Sequence, residues 1–243
     1  MGILSAMPEE IGEILDNLIN VDKSTYGDLE LFSGEWINND KKVFVSTAWS
    51  GWGKVSAARA TVRLLSNKVK SHPVEKILFT GVAGAVDKRL KQWDIILSES
   101  VIQHDMDARP IFEKYVIPAL QKKNIYSSEK MLNDLFNKLK NELPKDDNYD
   151  FGNLYKGIIA TGDMFISDRK KIKELSIEIP NLFAVEMEGA AFAQVAQQEK
   201  VEWLVMRVIS DNANEDSSID FNSFLETYKH KSFYLIKCFL ESL

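Results

Sequence analysis

The sequence predicts an α/β fold: a single domain built on a central mixed β-sheet flanked by helices on both faces. Three observations carry this expectation. Strand-like and helix-like segments alternate for most of the length. The most apolar strand candidates, such as KILF and WLVM, have no polar alternate face, which suits strands covered on both sides. The 243 residues also have no internal break in composition, so one domain over residues 1–243 is expected.

Residues 2–7 read as a short buried strand. A helix is expected to open at Pro8, where a missing N–H costs least, with Glu9 and Glu10 in its first turn and Ile11, Ile14, Leu15, Leu18 and Ile19 at helical spacing. LELFSGEWI and KKVFVSTAW, separated by NND, predict a hairpin. An alanine-rich amphipathic helix follows SGWGK, over roughly 54–67. KILFTGVAGA reads as one strand ending in glycines, and DIILSESVIQHD as the next. Residues 106–126 read as irregular. SSEKMLNDLFNKLKNEL is a surface helix with a serine cap, and PKDDNYDFGN after it is a polar loop. The strand YKGIIATGD, a helix from about residue 167, the strand FAVEM, the helix GAAFAQVAQQ, the strand VEWLVMRVISD and one long final helix complete the chain.

Composition excludes several classes. Hydrophobic residues make up 45% and charged residues 27%, a balance that belongs to folded soluble domains rather than disordered chains. A net charge of −6 argues against a nucleic-acid partner. Cys238 is the only cysteine, which rules out an internal disulfide and a cysteine-based zinc site and fits a reducing, cytoplasmic compartment. Neither a signal peptide nor a membrane span is expected. G-x-S-x-G, H-E-x-x-H and a P-loop are missing. QHDMD at 103–107 offers oxygen and nitrogen ligands, but reads more simply as a strand end entering a loop. The glycine turn TGVAGA suits either a phosphate or a tight backbone turn.

The carboxylates are more informative. In open α/β sheets ligands lie beyond the carboxyl ends of the strands. Glu10, TGVAG, Asp163, Glu186 with Glu188, and Asp211 all fall at predicted strand ends. Glu10 alone is explained by the dipole of a helix start, worth ~0.3–1 kcal/mol, and Asp211 by a cap or turn. Glu186 and Glu188 are harder to explain, because on a strand they share one face and repel. Arg207 on the next strand is the natural partner for one; such a pair attracts by ~4 kcal/mol at 4 Å before desolvation. The other carboxylate is left to accept hydrogen bonds from a ligand.

Taken in order and spacing, GILSAMPEEI, SGWGKVSAA, FTGVAGA, ATGDMFI, AVEMEGAAFA and MRVISDNA resemble the 5′-methylthioadenosine/S-adenosylhomocysteine nucleosidases of the nucleoside phosphorylase superfamily. The resemblance spans nearly the whole chain and is weakest over 108–150. It implies a nucleoside phosphorylase-like fold and hydrolysis of the adenine N9–ribose C1′ bond through an oxocarbenium-like transition state. No cofactor and no metal is implied, and the expected partners are small adenine nucleosides and a second copy of the chain.

By the same resemblance Asp211 is the acid that protonates adenine N7, and Glu10 the base that prepares the water. Glu188 accepts the ribose hydroxyls, Met187 packs beneath the sugar, and Glu186 with Arg207 completes the polar wall. Phe165 stacks on adenine and Ile166 reads its edge. Met7, Val82 and Ser210 line the same substrate site. Val82 stands where many relatives carry a serine that helps position the water, and Pro8 replaces an acidic residue. FTGVAG and QHDMD resemble relatives that also cleave 6-amino-6-deoxyfutalosine on a menaquinone route. A loop around Ile111, Phe112 and Pro118 corresponds to the segment that completes a partner subunit's 5′ subsite. Two rival readings are a phosphate-using purine nucleoside phosphorylase and a binder without turnover.

Overall fold

The structure is a computed structural model that describes residues 1–39, 41–143, 149–211 and 217–243, without the side chains of 217–220. The polar connections expected at 144–148 and 212–216 lie outside the described residues.

The first half runs β1 (Gly2–Ser5), β2 (Ile19–Tyr26), β3 (Leu29–Asn38), β4 (Lys41–Trp49), α1 (Lys54–Ser66), a small hairpin of β5 (Lys68–Val69) and β6 (His72–Pro73), then β7 (Lys76–Phe79) and β8 (Val82–Ala85). The second half runs β9 (Ile95–Gln103), β10 (Asn124–Tyr126), α2 (Glu129–Glu142), β11 (Leu154–Thr161), α3 (Arg169–Glu178), β12 (Leu182–Glu186), α4 (Gly189–Gln198), β13 (Glu202–Asp211), α5 (Ser217–Tyr228) and α6 (Ser232–Ser242). The strands other than β5 and β6 form one mixed sheet in the order β10-β9-β11-β12-β8-β13-β7-β1-β4-β3-β2.

β13 is the hinge of this sheet. Its first half pairs in parallel with β7, its last residues pair in parallel with β8, and its middle also pairs antiparallel with β9. The β9–β13 pairing closes β9, β11, β12, β8 and β13 into a ring, while β7, β1, β4, β3 and β2 continue as an open sheet. Strand periodicity sorts the buried side chains. Trp203, Val205 and Ile209 of β13 join Leu4, Phe79 and the alanines of α1 and α4 in one core. Leu204, Met206 and Val208 join Ile3, Leu78 and the apolar faces of α2, α5 and α6 in the other. Ala57 and Ala60 of α1 and Ala190, Ala193 and Ala196 of α4 are almost wholly buried, so small side chains let these helices approach closely. Helices thus cover both faces, as expected.

Several boundaries differ from expectation. The segment after Pro8 is two 3₁₀ turns, Pro8–Glu10 and Gly12–Asn17, rather than an α-helix, because Gly12 takes a positive φ of 58° where a Cβ would meet Ser232 Oγ. Ile19, expected as the end of that helix, opens β2. KILFTGVAGA is two strands divided at Thr80–Gly81, and the final helix is two, α5 and α6. Residues 106–126 are largely irregular, but Asn124–Tyr126 adds an edge strand.

Candidate active site

Met7, Glu10, Val82, Phe165, Ile166, Glu186, Met187, Glu188, Ser210 and Asp211 all line one cleft of about 630 Å³, counted out to its mouth. Arg207 is the one expected residue that does not line it. It lies directly behind, buried in β13 at a position whose neighbours Val205 and Ile209 belong to the apolar core. The lining also includes Trp52, Met164 and Phe221, which the sequence did not single out. Trp52, Met164 and Phe165 are about half exposed, and Phe165 meets Phe221 edge to face at 6.3 Å. Trp52 and Met164 lie in loops, which carry no periodic signal, and Phe221 lies on α5, so only the folded chain brings the three together.

Glu10 reaches the cleft from the turn after β1 and is 3% exposed. Its Oε2 accepts the N–H groups of Ala6 and Met7, both at 2.9 Å, and its Oε1 accepts the N–H of Val82 at 2.9 Å. Burial pushes its pKa up, against the pull of Arg207 and these N–H groups. The break between β7 and β8 makes room for it: a Cβ on Gly81 would stand 2.5 Å from Glu10 Oε1 and 2.9 Å from Arg207 Nη1.

Glu186 and Glu188 do not share a strand face, contrary to the sequence reading. β12 ends at Glu186, and Glu188, with φ −131° and ψ −40°, is already the N-cap of α4. The chain turns because Glu186 Oε2 accepts the N–H groups of Glu188 at 3.1 Å and Gly189 at 2.7 Å. Arg207 Nη2 bonds the same oxygen, and the Thr161 hydroxyl bonds Oε1 while accepting the Ala190 N–H at 2.8 Å. Glu186 therefore satisfies the exposed donors at the start of α4 and neutralises Arg207 together. Arg207 also lies over the Phe79 ring, 4.7 Å from its centroid.

Glu188 has a different environment. Its Oε1 accepts the Gly53 N–H at 2.8 Å, and its Oε2 stands 3.9 Å from Arg207 Nη2. Burial, reinforced by the neighbouring charge of Glu186, pushes its pKa up to about 8. Asp211, at the end of β13, accepts a hydrogen bond from Ser210 Oγ at 2.7 Å. Among the described residues no group of three or more His, Cys, Asp and Glu side chains could hold a metal ion. Nor is any described helix long and apolar enough to cross a membrane.

The cleft thus has carboxylates on three separate turns, an apolar floor and aromatic walls, the make-up of a site for a flat, polar, ring-bearing small molecule. Comparison with known proteins agrees. A family model described as the phosphorylase superfamily matches residues 1–241. A 5′-methylthioadenosine/S-adenosylhomocysteine nucleosidase of Shewanella denitrificans is 32% identical over 243 residues, all of this chain and 99% of its own. The Neisseria meningitidis nucleosidase of that name, solved with methylthio-immucillin-A, superposes with a TM-score of 0.87 at 25% identity, covering 100% of this chain and 98% of its own. A Helicobacter pylori structure named futalosine hydrolase superposes with a TM-score of 0.85 at 32% identity, over 100% and 97%. Motifs, fold and relatives coincide along the whole chain, which belongs to the phosphorylase superfamily and, within it, to the 5′-methylthioadenosine/S-adenosylhomocysteine nucleosidases.

Proposed function

We propose that the protein hydrolyses the N-glycosidic bond of 5′-methylthioadenosine and S-adenosylhomocysteine and releases adenine. The observation that carries this reading is that Glu10 and Asp211, at the ends of separate strands, face the same cleft. Asp211 gives its proton to adenine N7, so that the C1′–N9 bond breaks with its electron pair drawn onto the purine. Ser210 holds the other side of this carboxyl through its bond to Oδ2. Water attacks C1′ from the opposite side and Glu10 takes its proton, the two-carboxylate logic of inverting glycosidases. Glu188 accepts the ribose hydroxyls, and that interaction strengthens as positive charge grows on the ring. Met187 forms the floor beneath the sugar, Phe165 stacks on adenine, and Ile166 reads its edge.

Water rather than phosphate is the nucleophile because of how Glu10 is bonded. The backbone N–H groups of Ala6, Met7 and Val82 would form an anion-binding nest, but the Glu10 carboxylate already fills it. With valine at position 82, that nest has no hydroxyl to share the water, and orientation falls to Glu10. The test is to incubate the protein with 5′-methylthioadenosine and measure free adenine with and without phosphate. Release that does not depend on phosphate is expected; tight binding without release would make the chain a binder, and phosphate dependence would make it a phosphorylase.

A second substrate, 6-amino-6-deoxyfutalosine, is favoured by the superposition on the futalosine hydrolase structure. The protein acts in the cytoplasm as a homodimer. The exposed apolar side chains of Trp52 and Val55 at the start of α1, and of Ile111, supply surface for such an interface.

A further inference from the structure

Two motifs noted in the sequence, QHDMD and the aspartate after GIIATG, have no part in the chemistry above, yet they meet beside it. The Asp163 carboxylate, in the turn after β11, accepts the Lys54 N–H at 2.7 Å, at the positive end of α1. The Asp163 N–H donates to Asp105 Oδ2, in the turn after β9, at 3.0 Å. The Lys54 ammonium closes the ring by donating to Asp105 Oδ1 at 2.7 Å and to Gln103 Oε1 at 3.2 Å. Gln103 Nε2 ties the ring to α4 through Gln194 Oε1 at 2.8 Å. Burial works against the Asp105 charge, but the bonds from Lys54 and Asp163 outweigh it and hold its pKa low.

The residue before Lys54 is Gly53, whose N–H makes the one hydrogen bond that the Glu188 carboxylate receives from the described residues. Without it, Glu188 has only a 3.9 Å approach to Arg207, a guanidinium already bonded to Glu186. None of Lys54, Asp105, Asp163 and Gly53 lines the cleft, and the group they hold by a hydrogen bond that does line it is Glu188. We propose that the Lys54–Asp105–Asp163 ring is a positioning device: it fixes the Gly53 N–H, which holds the Glu188 carboxylate aimed at the ribose hydroxyls, and Asp163 is its central member.

This rests on the nucleosidase reading, and the experiment separates the two. kcat and KM are measured for 5′-methylthioadenosine and for its 2′,3′-dideoxy counterpart, which lacks the groups Glu188 would receive. Asp163→Ala is expected to lower kcat/KM for the full nucleoside by about ten- to a hundredfold, the value of a hydrogen bond to a charged group. On the dideoxy compound the same variant should stay within roughly twofold of wild type. Asp163→Asn, which keeps an oxygen for the Lys54 N–H, should recover most of the loss.

Equal losses on both substrates would reduce the ring to general scaffolding, and no loss on either would remove it from the site; both overturn the proposal. If Asp163→Ala does not fold, Lys54→Met breaks the ring at the ammonium alone. The same selective loss, smaller in size, is then expected, and an unselective one overturns the proposal. A wild-type protein that releases adenine from neither nucleoside defeats the nucleosidase reading instead. The ring is then judged by the calorimetric affinity of the same two compounds, with the same selective pattern expected and an unselective one overturning it.

Discussion

Glu188 and Asp211 answer opposite demands with the same functional group. In the proposed reaction Asp211 has to deliver a proton, so Asp211→Asn is expected to lower adenine release by ~10²–10⁴-fold with circular dichroism unchanged. Near-normal turnover of that variant would mean another group is the acid. In the same proposal Glu188 has to accept hydrogen bonds, yet the free protein buries it beside Glu186, against which the Gly53 N–H and the more distant Arg207 compensate only in part. Because its folded pKa, about 8, lies above the ordinary 4.5, its contribution to stability is complete below pH 4.5 and is lost as pH rises through 8. The melting temperature should therefore fall as pH rises from the ordinary 4.5 to about 8 and level off above that, and Glu188→Gln should flatten the fall. A variant that melts in parallel with wild type across this range would contradict the raised value.

At the scale of elements, the division between β7 and β8 matters most. A bend at Thr80–Gly81 lets β13 pair with both and leaves the Glu10 carboxylate against bare backbone. Gly81→Ala would force the carboxylate or Arg207 aside, at a cost of about 1–3 kcal/mol in stability. It should also lower kcat by more than tenfold, because the water would lose its alignment; steady-state kinetics with thermal melts measures both.

Elements covered on both faces were legible in the sequence because their residue types leave no alternative, as in WLVM of β13. The turns after Pro8 were not, since Ile11 and Ile14 are three apart and serve a 3₁₀ turn as well as an α-helix. β2 was missed for a related reason: INVDKSTY is a largely exposed edge strand, ordered by pairing with β3 rather than by burial. In the site, charged residues at strand ends were legible, whereas the rim of Trp52, Met164 and Phe221 depends on how two distant loops meet α5. The pairing of Arg207 with Glu186 was expected; that this carboxylate also caps α4 was not, because it lies two residues before the N-cap, where no capping pattern looks.

For the molecule as a whole, the cleft draws its walls from both the ring and the open sheet, so a ligand there bridges the two. At a hundredfold excess over its Kd an adenine nucleoside should stabilise the fold by about 2.7 kcal/mol, seen as a rise in melting temperature. No rise with any adenine nucleoside would mean that the cleft is not the binding site. The proposed homodimer is tested by sedimentation, and Val55→Asp, at a position 81% exposed, should shift it toward monomer without unfolding the subunit.

The place of β13 in the sheet also governs when activity can first arise. Arg207 and Asp211 come late in the chain, and the strand that carries them is held by partners from residues 76–84 and 95–97. A polypeptide cut before residue 202 has neither the guanidinium nor the proposed acid. A shortened product that lacks β13 is therefore expected to release no adenine, however well the earlier strands pair.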